Sequence, residues 1–165
     1  MTAAASPRMP PSDAPEAQLA AFMARYDPDV ARVAQEARAQ LRHQLPGAFE
    51  LVYDNYNALV IGFSPTEKTP DAIVSVALYP RWVSLFFLYG ATLPDPLRLL
   101  QGSGKQVRSI RVEGAHTLKA PAVRALLRTA VAQSDAPLSA RGRGRLIIKS
   151  VSARQRPRRV ATRSR

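Results

Sequence analysis

The run Gly102-Ser103-Gly104-Lys105 occurs once in the chain and is its most suggestive stretch of chemistry. Backbone N–H groups of a glycine turn beside a lysine hold phosphates in many loops. The full phosphate-loop motif also needs a glycine five positions before the Gly-Lys and a Ser or Thr after it. Leu99 and Gln106 occupy those places. Two readings stay open. One is a small anion site in which Lys105, Arg108 or Arg111 joins the turn; the other is a plain helix C-cap followed by a turn.

A second group is aromatic. Tyr53, Tyr56, Tyr79, Trp82 and Tyr89 fall near strand ends and turns, with Arg81 among them. Aromatic rings interleaved with basic residues stack bases and other flat ligands. Ordinary strand packing uses the same residues, so the sharper reading rests on Trp82 beside Arg81. The candidate ligand-binding set is Tyr53, Tyr56, Arg81, Trp82, Lys105 and Arg108.

Most catalytic chemistries lack their residues. There is no cysteine, which excludes disulfides, zinc–thiolate sites and thiol catalysis. Of the two histidines, His43 falls in the last turn of a helix, where a cationic ring suits the macrodipole. No nucleophile elbow, metalloprotease helix or dinucleotide fingerprint is present. Glu50, Asp54, Asp71, Asp95 and Glu113 make no pair at ligand spacing. The expectation is a chain with no catalytic residue, no metal site and no cofactor.

The formal charge of +12 is uneven. Residues 134–165 hold ten Lys and Arg against the single acid Asp135, whereas the rest holds fourteen basic and eleven acidic residues. Such charge blocks often serve as interaction tails. Arg154, Arg156, Arg158 and Arg159 are therefore candidates for phosphate contacts of a flexible, sequence-independent nucleic-acid arm. On that reading, deleting Ala153–Arg165 leaves the thermal midpoint of the domain nearly unchanged.

These residues need elements to position them. Residues 1–15 are Ala-, Ser- and Pro-rich and read as a disordered tail. A helix is expected over about Glu16–Tyr26, and Asp27-Pro28-Asp29 starts a second that ends at Pro46-Gly47. Strands are expected at Phe49–Tyr53, Ala58–Phe63, Ala72–Tyr79 and Trp82–Tyr89, the last apolar on both sides and so covered on both faces. Asp95-Pro96 signals a short helix over Leu97–Gln101, followed by a strand at Gln106–Glu113. One helix follows over Thr117–Gln133, and Arg145–Ser152 fits a further strand. The fold class is α+β, an antiparallel sheet of about five or six strands packed by helices. The folded domain spans about 16–133, and 134–165 form a basic extension. No apolar run approaches the ~20 residues of a membrane helix, and no signal pattern opens the chain, so no membrane is expected and the location is cytoplasmic.

Glu50–Phe63 (ELVYDNYNALVIGF), Ala77–Asp95 (ALYPRWVSLFFLYGATLPD) and Leu100–Arg111 (LLQGSGKQVRSIR) resemble the YdhG-like family of small bacterial proteins. That family is a domain of unknown function sometimes labelled a frataxin-like intracellular iron chaperone. The resemblance covers roughly Leu19 to Gln133, and SVSARQRPRR resembles a tail of one branch. It implies a small α+β binding or accessory domain without established enzymatic activity, acting on an unknown small ligand or protein. Two alternatives stand beside it: a nucleic-acid-associated protein using the basic arm, and a frataxin-type iron-binding chaperone. Hard iron sites need clustered carboxylate, imidazole or phenolate donors, which the scattered acids do not supply.

Overall fold

The computed structural model describes residues 13–139 and 144–161. Most of the expected tail 1–15 lies outside these residues, but its last three are helical. Helix α1 runs Asp13–Ala24 and places Leu19 and Met23 in the core, with Tyr26 buried just beyond it. Helix α2 (Pro28–Gln44) begins where the sequence signals, with the Asp27 carboxylate accepting from the Asp29 N–H at 3.0 Å. Val30, Ala34, Ala37 and Leu41 form its buried stripe, and the two alanines let the helix approach the sheet closely.

The chain then makes an antiparallel meander of β1 (Phe49–Asp54), β2 (Leu59–Ser64), β3 (Val74–Leu78), β4 (Val83–Phe87) and β5 (Arg108–Val112). Strand β6 (Leu146–Val151) returns to the opposite edge and pairs in parallel with β1. The order is β5-β4-β3-β2-β1-β6, so the sheet is mixed but mostly antiparallel. This is an α+β fold.

One row of paired residues shows where the core lies. Ile148, Val52, Ile61, Val76, Leu85 and Ile110 stand side by side across all six strands and join the apolar cluster with α1 and α2. Helices α3 (Ala115–Lys119) and α4 (Pro121–Ala132) add Leu118, Val123, Leu126 and Leu127 to the same cluster. Alternate residues face the other way because the side-chain period of a strand is two. On that reverse face Leu51, Gly62, Ser75, Ala77, Ser84 and Phe86 lie outside the helix-packed cluster.

Strand β4 meets the expectation of cover on both sides only in part, since Ser84 on the reverse face is buried but Phe86 is not fully so. It is central, yet only Val83, Leu85 and Phe87 meet the helices, while Phe86 is half-buried on the reverse face. Two helix expectations also change. The single helix over Thr117–Gln133 is split at Ala120, whose extended ψ of 132° follows from the proline after it. The helix expected at Leu97–Gln101 is absent. Asp95 does accept from the Leu99 and Leu100 N–H groups, at 2.9 and 2.8 Å, but Arg98 has a left-handed φ of 53° that stops propagation.

Burial alone would raise the Glu16 carboxyl, but Arg38 and Arg42 outweigh it and hold the group below the usual carboxylate range. Its contribution to stability is therefore present at neutral pH and lost as pH falls through the lowered value.

Phe87→Ala is expected to cost about 3–5 kcal/mol in denaturant unfolding, as for a fully buried aromatic. Phe86→Ala should cost less than half as much. Equal losses would mean that both faces of β4 are packed alike.

Candidate functional site

The β2–β3 loop and the β4–β5 connection meet at one end of the sheet, and α4 ends there too. Between them is a cavity of about 430 Å³. Ile73, Phe87, Leu93 and Ala130 give it an apolar floor, and Lys105, Asp71, Gln133 and Asp135 give it a polar rim. Two links hold its walls. The Tyr89 hydroxyl donates to the Pro70 carbonyl at 2.7 Å, and Thr92 Oγ1 lies 3.1 Å from Gln133 Oε1. Gly90 permits the close turn between these walls, since a Cβ there would lie 2.6 Å from that of Arg108.

Of the six nominated ligand residues, only Lys105 lines this cavity. Arg108 is committed elsewhere: its Nη1 donates to the Gly104 and Val107 carbonyls at 2.6 and 2.8 Å and ties the glycine turn to β5. Arg111 lies on the reverse face, 5.1 Å from the centre of the Trp82 ring. The anion site of Lys105, Arg108 and Arg111 is therefore not assembled. Gly102, with φ of 127°, instead takes a conformation that glycine alone adopts readily.

Tyr56, Arg81 and Trp82 sit in the β1–β2 and β3–β4 turns, at the end of the sheet away from the cavity. Trp82 stacks on Tyr79 with centroids 4.9 Å apart and an interplanar angle of 20°. Tyr79 is on the β3 side and Arg111 on the β5 side, so the two faces of the indole are both occupied. This three-layer stack packs the reverse face. Arg81 takes no part in it and is exposed. Tyr53 is on the same face, its hydroxyl bonded to Thr69 Oγ1 of the β2–β3 loop. The six residues do not form one groove.

The basic extension differs most from its expected form. After β6, residues Ser152–Arg159 return over the β1–β2 turn and dock there. The Ser152 N–H and the Gln155 side chain donate to the Asp54 carbonyl, and the Arg156 N–H to the Tyr56 carbonyl. Arg158 is 4% exposed. Its Nη2 donates to Asp54 Oδ1 at 2.8 Å and to the Asn55 carbonyl at 2.5 Å, and its guanidinium lies 5.6 Å from the centre of the Tyr26 ring. Arg159 donates to the Ala24 and Arg25 carbonyls at the end of α1, where a cation suits the helix dipole. Arg156 covers the Tyr56 ring at 5.5 Å. Of the four arginines nominated for phosphate contacts, Arg158 is thus buried in an ion pair and Arg159 is tied to backbone. Arg154 and Arg156 remain exposed.

Among the described residues no three His, Asp or Glu side chains come close enough to hold a metal ion, and no helix is long and apolar enough to cross a membrane. Glu50 accepts from Arg38 Nε and Arg42 Nη2 at 2.7 Å each. Comparison with protein-family models, with curated proteins and with solved structures finds no match for this chain.

The cavity floor carries no sequence signal. Ile73, Leu93 and Ala130 belong to a loop, a turn and a helix end, and only the topology brings them together.

Arg158→Leu alone is expected to destabilise the protein by about 3–5 kcal/mol, because it strands the Asp54 carboxylate in the interior. Deleting Ala153–Arg165 should lower the thermal midpoint clearly, contrary to the free-arm expectation. In a double-mutant cycle, Asp54→Leu with Arg158→Leu should cost well under the sum of the single changes. Additive losses would show that the two charges do not depend on each other.

Proposed function

We propose that this chain is a small binding domain without enzymatic activity of its own, whose ligand is a compact, mainly apolar molecule held in the cavity at the loop end of the sheet. The observation that carries this reading is the cavity itself. Its volume falls in the range of small-molecule sites, about 300–1,000 Å³, and it combines an apolar floor with a few polar groups that fix orientation. The rim carries one ammonium, Lys105, and two carboxylates, Asp71 and Asp135. A ligand with an apolar body and both a hydrogen-bond donor and an acceptor matches that rim. The resemblance to the YdhG-like family favours a binding or accessory role over catalysis.

The two alternatives have less support. A nucleic-acid role for the extension loses Arg158 and Arg159 to the fold, which leaves Arg154 and Arg156 as its described contacts. An iron-chaperone role lacks a donor cluster among the described residues.

A small-molecule library screened by thermal shift, with hits mapped by methyl NMR, tests the cavity. Binders should shift the signals of Ile73, Leu93 and Ala130. Ala130→Phe, which fills the cavity from the half-buried side of α4, should abolish binding and leave the fold intact. Lys105→Met should weaken acceptor-bearing hits by about tenfold, the equivalent of one modest ion pair. Hits that perturb Tyr79 and Trp82 while sparing the cavity signals would refute the assignment.

A further inference from the structure

Helices α2 and α4 flank a second, open concavity, of about 310 Å³, on the helix side of the molecule. It is lined by His43 and Gln44 from α2 and by Arg124, Leu127, Arg128 and Val131 from α4. Leu127 is 2% exposed and forms an apolar floor with Val131. Arg124 and Arg128 are exposed and lie one helical turn apart, on the same face. Neither guanidinium makes an ion pair or a side-chain hydrogen bond with any described residue, and no carboxylate lines the groove. The Gln44 amide is fixed by donation to the Leu118 carbonyl at 2.9 Å, so this wall is positioned before any ligand arrives.

From this arrangement we infer that the α2–α4 groove is a second binding site, distinct from the end cavity, for a compact group carrying two or more negative charges. Like charges at i and i+4 repel, and an imidazole at the groove wall adds a further donor. An anion placed between the two guanidiniums relieves the repulsion and accepts charge-assisted hydrogen bonds from both. A guanidinium presents paired donors in a planar fork, which matches the paired oxygens of phosphoryl and carboxylate groups alike. Leu127 and Val131 give the rest of such a ligand an apolar surface. The site is built from the fold: α2 and α4 are held in place through α3, and both arginines stand on the last long helix of the core layer.

The test uses the full chain and two probes, inorganic pyrophosphate and citrate, in calorimetric titrations with parallel amide NMR. At least one probe should give saturable 1:1 binding, with shifts at Gln44, Leu127 and Val131. Tighter pyrophosphate binding assigns a phosphoryl ligand, and tighter citrate binding assigns a polycarboxylate. The double variant Arg124→Gln with Arg128→Gln should lower affinity by about tenfold or more. A control variant, Lys68→Gln with Arg98→Gln, removes the same charge from exposed positions outside the groove and should change affinity less than twofold. Three results would overturn the inference: no saturation with either probe, unchanged affinity in the arginine double variant, or an equal loss in the control. The last would mean that the net positive charge of the chain, not the groove, attracts the anion.

Discussion

Two carboxylates on one strand, Glu50 and Asp54, are 4% and 1% exposed, and each obliges some other part of the chain to reach it with a guanidinium. Both point toward the helix layer, at opposite ends of β1, with Val52 between them. A buried charge without a partner costs several kcal/mol. Glu50 is satisfied by Arg38 and Arg42, which also hold Glu16, so α1, α2 and β1 are joined through one network. Asp54 is paired through Oδ1 with Arg158, more than a hundred residues later, while its second oxygen has Arg25 at 3.6 Å and no hydrogen bond from a described residue. Residues Ser152–Arg159 are therefore docked on the helices and sheet. Among the described residues Arg158 Nε and Nη1 find no hydrogen-bond partner, so the pair is not an optimised source of stability. Its effect is to specify where β6 and the following segment end up.

The two faces of the sheet follow from the same division. The helix side takes the large aliphatic residues, while the reverse side is built from Gly62, Ser75, Ala77 and Ser84 with bulky residues around them. Small residues lower the apolar area that a bare face would expose. The Tyr79–Trp82–Arg111 stack and the β2–β3 loop, anchored through Tyr53 and Thr69, cover part of the remainder. That loop has a second consequence. Because it is pinned over the reverse face, its later residues Pro70–Ile73 become one wall of the end cavity.

Local signals in the sequence located most of the elements. The Asp27-Pro28 start of α2 and the apolar runs of β3 and β4 are legible because capping and strand-forming runs act within a few residues. Three features were not legible, one set by an adjacent residue and two by nonlocal contacts. The helix over Thr117–Gln133 breaks at Ala120, where the steric demand of Pro121 overrides a continuous apolar stripe. Trp82 was legible as chemically notable, but its partners were not: Arg81 is adjacent in sequence and points away, while Tyr79 and Arg111 reach it across strands. The arginines 154–159 look alike in composition, and only the burial of Asp54 separates Arg158 from its neighbours. The candidate site shared this limit. Lys105 stands out by its glycine turn, whereas the apolar floor beside it arises from a loop, a strand, a turn and a helix end brought together by topology.

The charge balance of the surface follows from how the acids are used. Glu16, Glu50 and Asp54 neutralise arginines within or beside the core, and Glu67 takes Arg145 at the β6 edge. Asp27 caps α2 and Asp95 caps a turn, so neither offsets a surface cation. With twelve acids against twenty-four Lys and Arg, this leaves the basic excess on the outside. Spread evenly, that excess would say little beyond solubility. Part of it is placed at concavities: Lys105 lines the end cavity, and Arg124 and Arg128 flank a groove with an apolar floor. Concavity keeps water and counterions from screening a bound anion as fully as they do on an open surface. The same composition that made the C-terminal segment look like the binding element therefore gives more weight to a helix pair whose sequence carries no motif.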